Sequence, residues 1–244
     1  MSEQKTALIT GANRGIGFET ARQLSEQGIK VLIGARSEES GKEAETKLKD
    51  EGFDAKFILL DVDDAKTHSS AAKYIEEKFG KLDILINNAG INLEIGEKAV
   101  QASETSPEVF RDTFDTNFFN TIAVTQTFLP LIKKSDAGRI VFVSSGLGSL
   151  TLHSDPKSPI YNYKLPAYDI SKTALNGYAV HLAHELKETA IKVNTLHPGS
   201  VVTDMNPHGE LTVEEGAKTS VSLATLPADG YTGKFIHLGQ ELPW

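Results

Sequence analysis

The chain predicts an α/β fold: a doubly wound, parallel sheet of about seven strands with helices on both faces. Three observations carry this reading. Short apolar, β-branched runs alternate with amphipathic stretches, the pattern of repeated βαβ units. The runs are apolar almost throughout rather than at every second residue, as strands covered on both faces are. Finally, 244 residues with 39% hydrophobic content suit one large globular domain or two small ones, with a sizeable core.

In order, the strand runs are TALIT (6–10), KVLIGA (30–35), KFILLDV (56–62), LDILINN (82–88), GRIVFVSS (138–145), KVNTL (192–196) and GKFIHL (233–238). Helical periodicity falls at 15–28, 38–51, 64–79, 106–134, 167–189 and 212–224. In such sheets ligands lie beyond the carboxyl ends of the strands, so residues just after each run are where chemistry is expected. The first run leads straight into TGANRGIG and a helix. Gly11, Gly15 and Gly17 allow a tight turn and close backbone approach, and the helix start offers N–H groups to a diphosphate. This is a Rossmann-type arrangement, although the spacing G-x-x-x-G-x-G departs from G-x-G-x-x-G.

After the second run, where a ribose-binding acid is expected for NAD, the chain reads IGARSEE. Ala35 replaces the acid and Arg36 follows, with Arg14 inside the glycine loop. Two guanidiniums suit a 2′-phosphate, so the cofactor expected is NADP(H) rather than NAD(H). A solvated Arg36, or one paired with Glu38 or Glu39, is the alternative.

In LPAYDISKTALNGYA, starting the helix after Pro166 and advancing about 100° per residue puts Tyr168, Lys172, Leu175, Ala179, Leu182 and Leu186 in one sector. Asp169, Thr173, His184, Lys187 and Glu188 fall in the opposite, wet sector. A lysine in an apolar stripe needs a partner, and the tyrosine one turn away supplies chemistry. A nearby ammonium favours phenolate and moves a poor acid–base group toward working pH.

Taken with that pair, these stretches resemble the classical short-chain dehydrogenase/reductase family over nearly the whole length, which implies that 1–244 is a single NAD(P)-binding Rossmann-fold domain with a substrate-wall insertion near 146–167. TGANRGIG resembles its cofactor loop, with Asn13 and Ile16 beside the three glycines and Arg14. LLDVDD resembles the adenine-binding turn, with Asp61 and Val62 on the base. NNAG resembles the cofactor floor, with Asn88, Ala89 and Gly90. DTNFFN supplies Asn117, matching the catalytic asparagine, and VSSGLG a serine, for which the resemblance favours Ser145 over Ser144. YDISK matches Y-x-x-x-K, and HPGSVVTDM the motif in which Pro198, Gly199, Val201 and Thr203 lie at the nicotinamide end. The resemblance implies a carbonyl–alcohol oxidoreductase with Tyr168 as acid/base. Lys172 tunes it and binds the nicotinamide ribose, Ser145 holds the substrate oxygen, and Asn117 holds a relay water. Arg14 and GAR resemble the NADP-dependent subgroup, and the long segment 146–167 is loosely similar to that of carbonyl reductase-like members.

The substrate wall is expected from 146–167, with Leu152, His153, Tyr161 and Tyr163, and from 204–211, giving an open site for a moderately apolar aldehyde or ketone. The alternatives are a silent NADP(H)-binding redox sensor and an epimerase or dehydratase. A net charge of −8 argues against nucleic-acid and membrane partners. No cysteine is present, which removes disulfides and thiolate metal sites, and no metal is expected. With no leader or membrane span visible, a cytoplasmic protein is expected. The insertion before Tyr168 favours a monomer or homodimer, with a tetramer left open. His181 and His184 read as solvated, His197 as packing more than site, Phe114, Phe118 and Phe119 as core or subunit contact, and Trp244 as docked or frayed.

Overall fold

The structure, a computed structural model, describes residues 4–94 and 101–244. The strands are β1 (Thr6–Thr10), β2 (Lys30–Ala35), β3 (Ala55–Leu59), β4 (Ile84–Asn87), β5 (Arg139–Val143), β6 (Lys192–Leu196), β7 (Phe235–His237) and β8 (Gln240–Glu241). They form one sheet in the order β3-β2-β1-β4-β5-β6-β7-β8. Every pairing is parallel except the last, an antiparallel turn-back of two residues that the sequence pattern did not announce. The order reverses between β1 and β4, which places the crevice at the tips of those two strands.

The helices are α1 (Gly15–Glu26), α2 (Glu38–Asp50), α3 (Ala65–Phe79), α4 (Pro107–Phe114), α5 (Asn120–Ile132), α6 (Leu150–Ser154), α7 (Pro166–Glu185) and α8 (Val213–Ala224). Side chains on a strand alternate between faces, and here both faces are apolar. Leu8, Leu32, Leu85 and Phe142 pack with Val124 and Phe128 of α5 and with Leu175 and Leu182 of α7. Ala7, Ile9, Ile33, Ile86 and Val141 pack on the other side with Leu24 of α1, Leu48 of α2 and Leu223 of α8. This double coverage is why the runs lack a two-residue period.

The long periodic stretch 106–134 is not one α-helix. Between α4 and α5 the backbone widens into a π turn, Asp115–Phe119, with the Asn120 N–H reaching Asp115 O. Such π turns are frequent at functional sites, and this one carries Asn117. Asp169 is not on a wet face: it is 6% exposed, because α6 and the chain that follows fold over the first turn of α7. His181 and His184 are exposed. Trp244 docks: its ring stacks on Phe235 with centroids 5.6 Å apart, and its carbonyl accepts the Thr151 N–H at 2.9 Å. Among the described residues no helix is long and apolar enough to cross a membrane.

Arg139 opens β5 and is 2% exposed. Its guanidinium donates to backbone carbonyls: Nε to Leu226, Nη1 to Ala137, Gly138 and Ala190, and Nη2 to Leu226 and Pro227. It thereby ties the start of β5 to the loops after α8 and before β6. Arg139→Met strands those carbonyls, and the expected loss is about 3 kcal/mol of unfolding free energy, read from urea denaturation.

Candidate active site

A cleft of about 720 Å³ opens at the strand tips. The turn after β1 forms its base. The Thr10 hydroxyl accepts the N–H groups of Asn88 and Ala89 at 3.0 and 2.9 Å. In return, the Asn88 carboxamide donates to the carbonyls of Thr10 and Gly11 at 2.9 and 3.1 Å. The two turns are thus stapled into one surface. Gly17 lies at the join, where a Cβ would stand 2.5 Å from both Asn88 Nδ2 and Gly11 O. Helix α1 starts at Gly15 with no side-chain cap, so its first N–H groups face the cleft, a setting suited to an anion.

Basic residues mark one end. Arg36 lines the cleft with Ser37 and Ser40. Glu38 pairs with Lys42, and among the described residues Arg36 has no ion pair, so the expected alternative of an Arg36–glutamate pair does not form. Arg14 Nη1 meets Asp204 at 2.6 Å across the cleft mouth, both side chains well exposed. Asn13 donates to Ser40 at 3.3 Å. Ser37 and Ser40 went unread in the sequence because serine at a helix start signals capping first, and Ser37 does cap α2. Asp61 and Val62 line the wall beyond. The Asp61 carbonyl is held by Thr67 Oγ1 at 3.0 Å and by His68 Nε2 at 2.8 Å.

Tyr168 and Lys172 form the opposite wall. The Lys172 amine is 5.6 Å from the Tyr168 ring centroid and donates to Val143 O at 3.0 Å. Burial pushes Lys172 down to about 8. Burial also pushes the Tyr168 phenol up to about 12, against the lowering effect of the nearby Ser145 hydroxyl. Ser145 stands at the tip of β5, where its oxygen accepts the Leu147 N–H at 3.2 Å. The Ser144 hydroxyl turns inward to Lys172 O, so Ser145 is the serine that meets the phenol.

Asn117 does not line the cleft; it lies directly behind it. Its carboxamide clamps Ile91 from both sides, accepting the N–H at 2.8 Å and donating to the carbonyl at 2.9 Å, and it also donates to Ser171 Oγ at 3.1 Å. A Cβ on Gly90 would sit 3.1 Å from Asn117 Oδ1 and 3.3 Å from Lys172 Nζ, so the floor, the asparagine and the lysine touch at one residue. Of the remaining expected residues, Gly11, Gly15, Ile16, Ala89, Pro198 and Thr203 line the cleft. Val201 is 3% exposed and packs toward Gly216, leaving the lining to Val202. Gly199 does not line the cleft; a Cβ on it would meet Leu211 Cδ1 at 2.3 Å. His153, expected on the substrate wall, turns inward to Leu147 O. His197 is packed, stacked on His237 with centroids 4.8 Å apart, and burial pushes it down to about 4.

The family model described as short chain dehydrogenase matches residues 5–212. The chain is 36% identical to a (+)-neomenthol dehydrogenase of Arabidopsis thaliana, with 91% of each chain covered. It is 33% identical to carbonyl reductase (NADPH) 1 of Rattus norvegicus, covering 100% of this chain and 99% of the relative. The solved NADPH-bound carbonyl reductase from chicken fatty liver matches with a TM-score of 0.85 at 27% identity, over 99% of this chain and 100% of that one.

The staple beneath the cleft makes a direct prediction. Gly17→Ala forces Asn88 or the Gly11 carbonyl to move, and a loss of about 1–3 kcal/mol is expected in chemical denaturation.

Proposed function

The chain belongs to the short-chain dehydrogenase family, and from that premise we propose that it is an NADPH-dependent carbonyl reductase in which Tyr168 is the acid/base. The observation that carries this is the Tyr168 phenol, near the Ser145 hydroxyl and next to the Lys172 amine, on the wall of a cleft whose far end holds Arg36.

The residues present fit the cofactor. The uncapped start of α1 and the stapled turns would hold the diphosphate. Arg36, with Ser37 and Ser40 beside it, would hold a 2′-phosphate. Asp61 and Val62 would flank the base. Asn88 to Gly90, Lys172 and the stretch from Pro198 to Thr203 would meet the nicotinamide end. When bound, NADPH supplies hydride to the carbonyl carbon.

The chain supplies the proton and the setting. Tyr168, with a phenol pushed up to about 12, is fully protonated at neutral pH and gives its proton to the carbonyl oxygen, so that hydride plus proton yields the alcohol. Ser145 donates a hydrogen bond to the same oxygen and steadies charge as it develops. Lys172, when protonated, lowers the cost of the tyrosinate left behind. Asn117 fixes Ile91 and, by the family pattern, a relay water. Exposed Val202 and Met205 at the mouth favour a moderately apolar aldehyde or ketone.

Two experiments test this. Tyr168→Phe is expected to lower kcat for carbonyl reduction by a factor of about 100 to 10,000 while NADPH still quenches protein fluorescence. In the wild type the Lys172 charge is lost as pH rises through about 8, so kcat at saturating NADPH falls on that limb. Full turnover by Tyr168→Phe sinks the assignment, and NADPH consumption with any aldehyde or ketone removes the silent-sensor alternative. Independently, Arg36→Ala is expected to raise the KM for NADPH by about ten- to a hundredfold, the worth of a charge-assisted contact, and to leave the KM for NADH nearly unchanged.

A further inference from the structure

Helix α7 carries Tyr168 but has no cap of its own. Its N-cap is Leu165, which has no side-chain acceptor, and Pro166 follows. The Tyr168 N–H lies in the first turn, where the helix offers it no acceptor. A serine or aspartate at the N-cap commonly takes such a group. Here the acceptor is Glu94, 74 residues away in the loop that follows the cleft floor, with Oε2 at 2.8 Å from the Tyr168 nitrogen. Asp169 serves the residue at the helix entry, accepting the Leu165 N–H at 2.9 Å. Helix α8 shows the local arrangement, with Thr212 and Glu215.

The Tyr168 carbonyl is held as well. Ser171 Oγ donates to it at 2.7 Å and accepts from Asn117 Nδ2 at 3.1 Å. Asn117 in turn clamps both main-chain groups of Ile91. The Glu94 N–H closes back on Asn92 Oδ1 at 3.0 Å, a local turn of the kind asparagine side chains make. Both routes from the Tyr168 main chain therefore end on one short loop. The first arrives directly at Glu94, and the second passes through Ser171 and Asn117 to Ile91. The loop leaves the floor at Gly90, where a Cβ would stand 3.3 Å from Lys172 Nζ.

Glu94 is 1% exposed, and its other oxygen, Oε1, has no hydrogen-bond partner. A buried carboxyl left half unpaired is a poor stability device. What this bond does that a cap at Leu165 could not is attach the helix end to the floor. We propose that Glu94 is a positioning residue: by accepting the Tyr168 N–H from the floor loop, it fixes where the Tyr168 phenol stands on the cleft wall. Glu94 does not line the cleft and acts only through the main chain of Tyr168. The held N–H and the reacting phenol belong to the same residue, so a shift of the first turn moves the phenol with it. A misplacement of about 1 Å costs up to about a hundredfold in rate.

The effect on turnover rests on the carbonyl-reductase reading; the tie between loop and helix does not. Glu94→Ala is expected to lower kcat at saturating NADPH by about ten- to a hundredfold and to leave the KM for NADPH unchanged. Two conservative variants separate reach from charge. Glu94→Gln keeps an acceptor at the same reach and is expected to recover most of the lost kcat. Glu94→Asp keeps a carboxyl but falls one methylene short, and its kcat is expected to stay low. Hydrogen exchange reads the tie without turnover. The Tyr168 amide is expected to exchange about tenfold faster in Glu94→Ala and Glu94→Asp than in the wild type and Glu94→Gln. Should Glu94→Ala not fold, the comparison of Gln with Asp carries the test. Wild-type kcat in Glu94→Ala, recovery by Asp but not by Gln, or a fall in kcat matched by a rise in the KM for NADPH overturns the positioning role. Unchanged exchange at Tyr168 overturns the tie itself. A wild type that reduces no aldehyde or ketone, with the exchange pattern as expected, removes the reductase reading and leaves the tie standing.

Discussion

The cleft is organised around one constraint: an amine held in an apolar wall. Lys172 is 4% exposed, and its amine donates to a backbone carbonyl, that of Val143 at the tip of β5. A charge in that position is costly, and burial drives the amine toward neutrality. The neighbouring pieces are shaped by this. The floor approaches the amine through Gly90, where a Cβ would stand 3.3 Å from Lys172 Nζ and crowd it. The helix must present its tyrosine one turn earlier on the same face, and β5 must end where its last carbonyl can receive the amine. Strand, floor and helix are therefore placed with respect to one nitrogen atom.

The contrast between two helix starts shows how far pattern reading reaches. At α8, Thr212 and Glu215 stand at capping-box spacing, and the expected start at 212 agrees with the observed one. At α7 the expected start also lands close, since Pro166 marks a first turn, but the reason the helix stays capped is a glutamate 74 residues away. Asp169 was assigned to water because helical rotation describes only the helix's own faces. What covers a face depends on where α6 and the chain after it lie, and nothing local in that chain states this. His153 was misplaced for the same reason.

Strands were easier. β1, β2 and β6 were expected at their observed bounds, because a doubly covered strand advertises itself by apolar residues at every position. The π turn at 115–119 was invisible: one extra residue in a helical turn leaves the surrounding periodicity nearly intact. Most site residues were legible because they sit in short motifs at strand tips. Of those missed, Val202 lies inside HPGSVVTDM beside the buried Val201, and Ser37, Ser40 and Glu94 lie one to four residues outside a motif.

The pH behaviour of the wall follows from its dryness. Burial raises the phenol and lowers the amine, so the wall by itself favours a neutral tyrosine beside a partly neutral lysine. On the proposed reading, that state suits a proton donor before reaction and penalises the tyrosinate after it. Without help, a phenol at about 12 would be a reluctant acid for an alkoxide-like oxygen in a dry site. The help is arranged asymmetrically: the Ser145 hydroxyl stands near the phenol throughout, whereas the lysine charge acts only when the amine holds its third proton. A charge developing on Tyr168 raises the proton affinity of Lys172, and a protonated Lys172 makes that charge easier to form. The two titrations are therefore coupled, and it is the pair, rather than either residue, that sets the pH range over which the wall can release a proton.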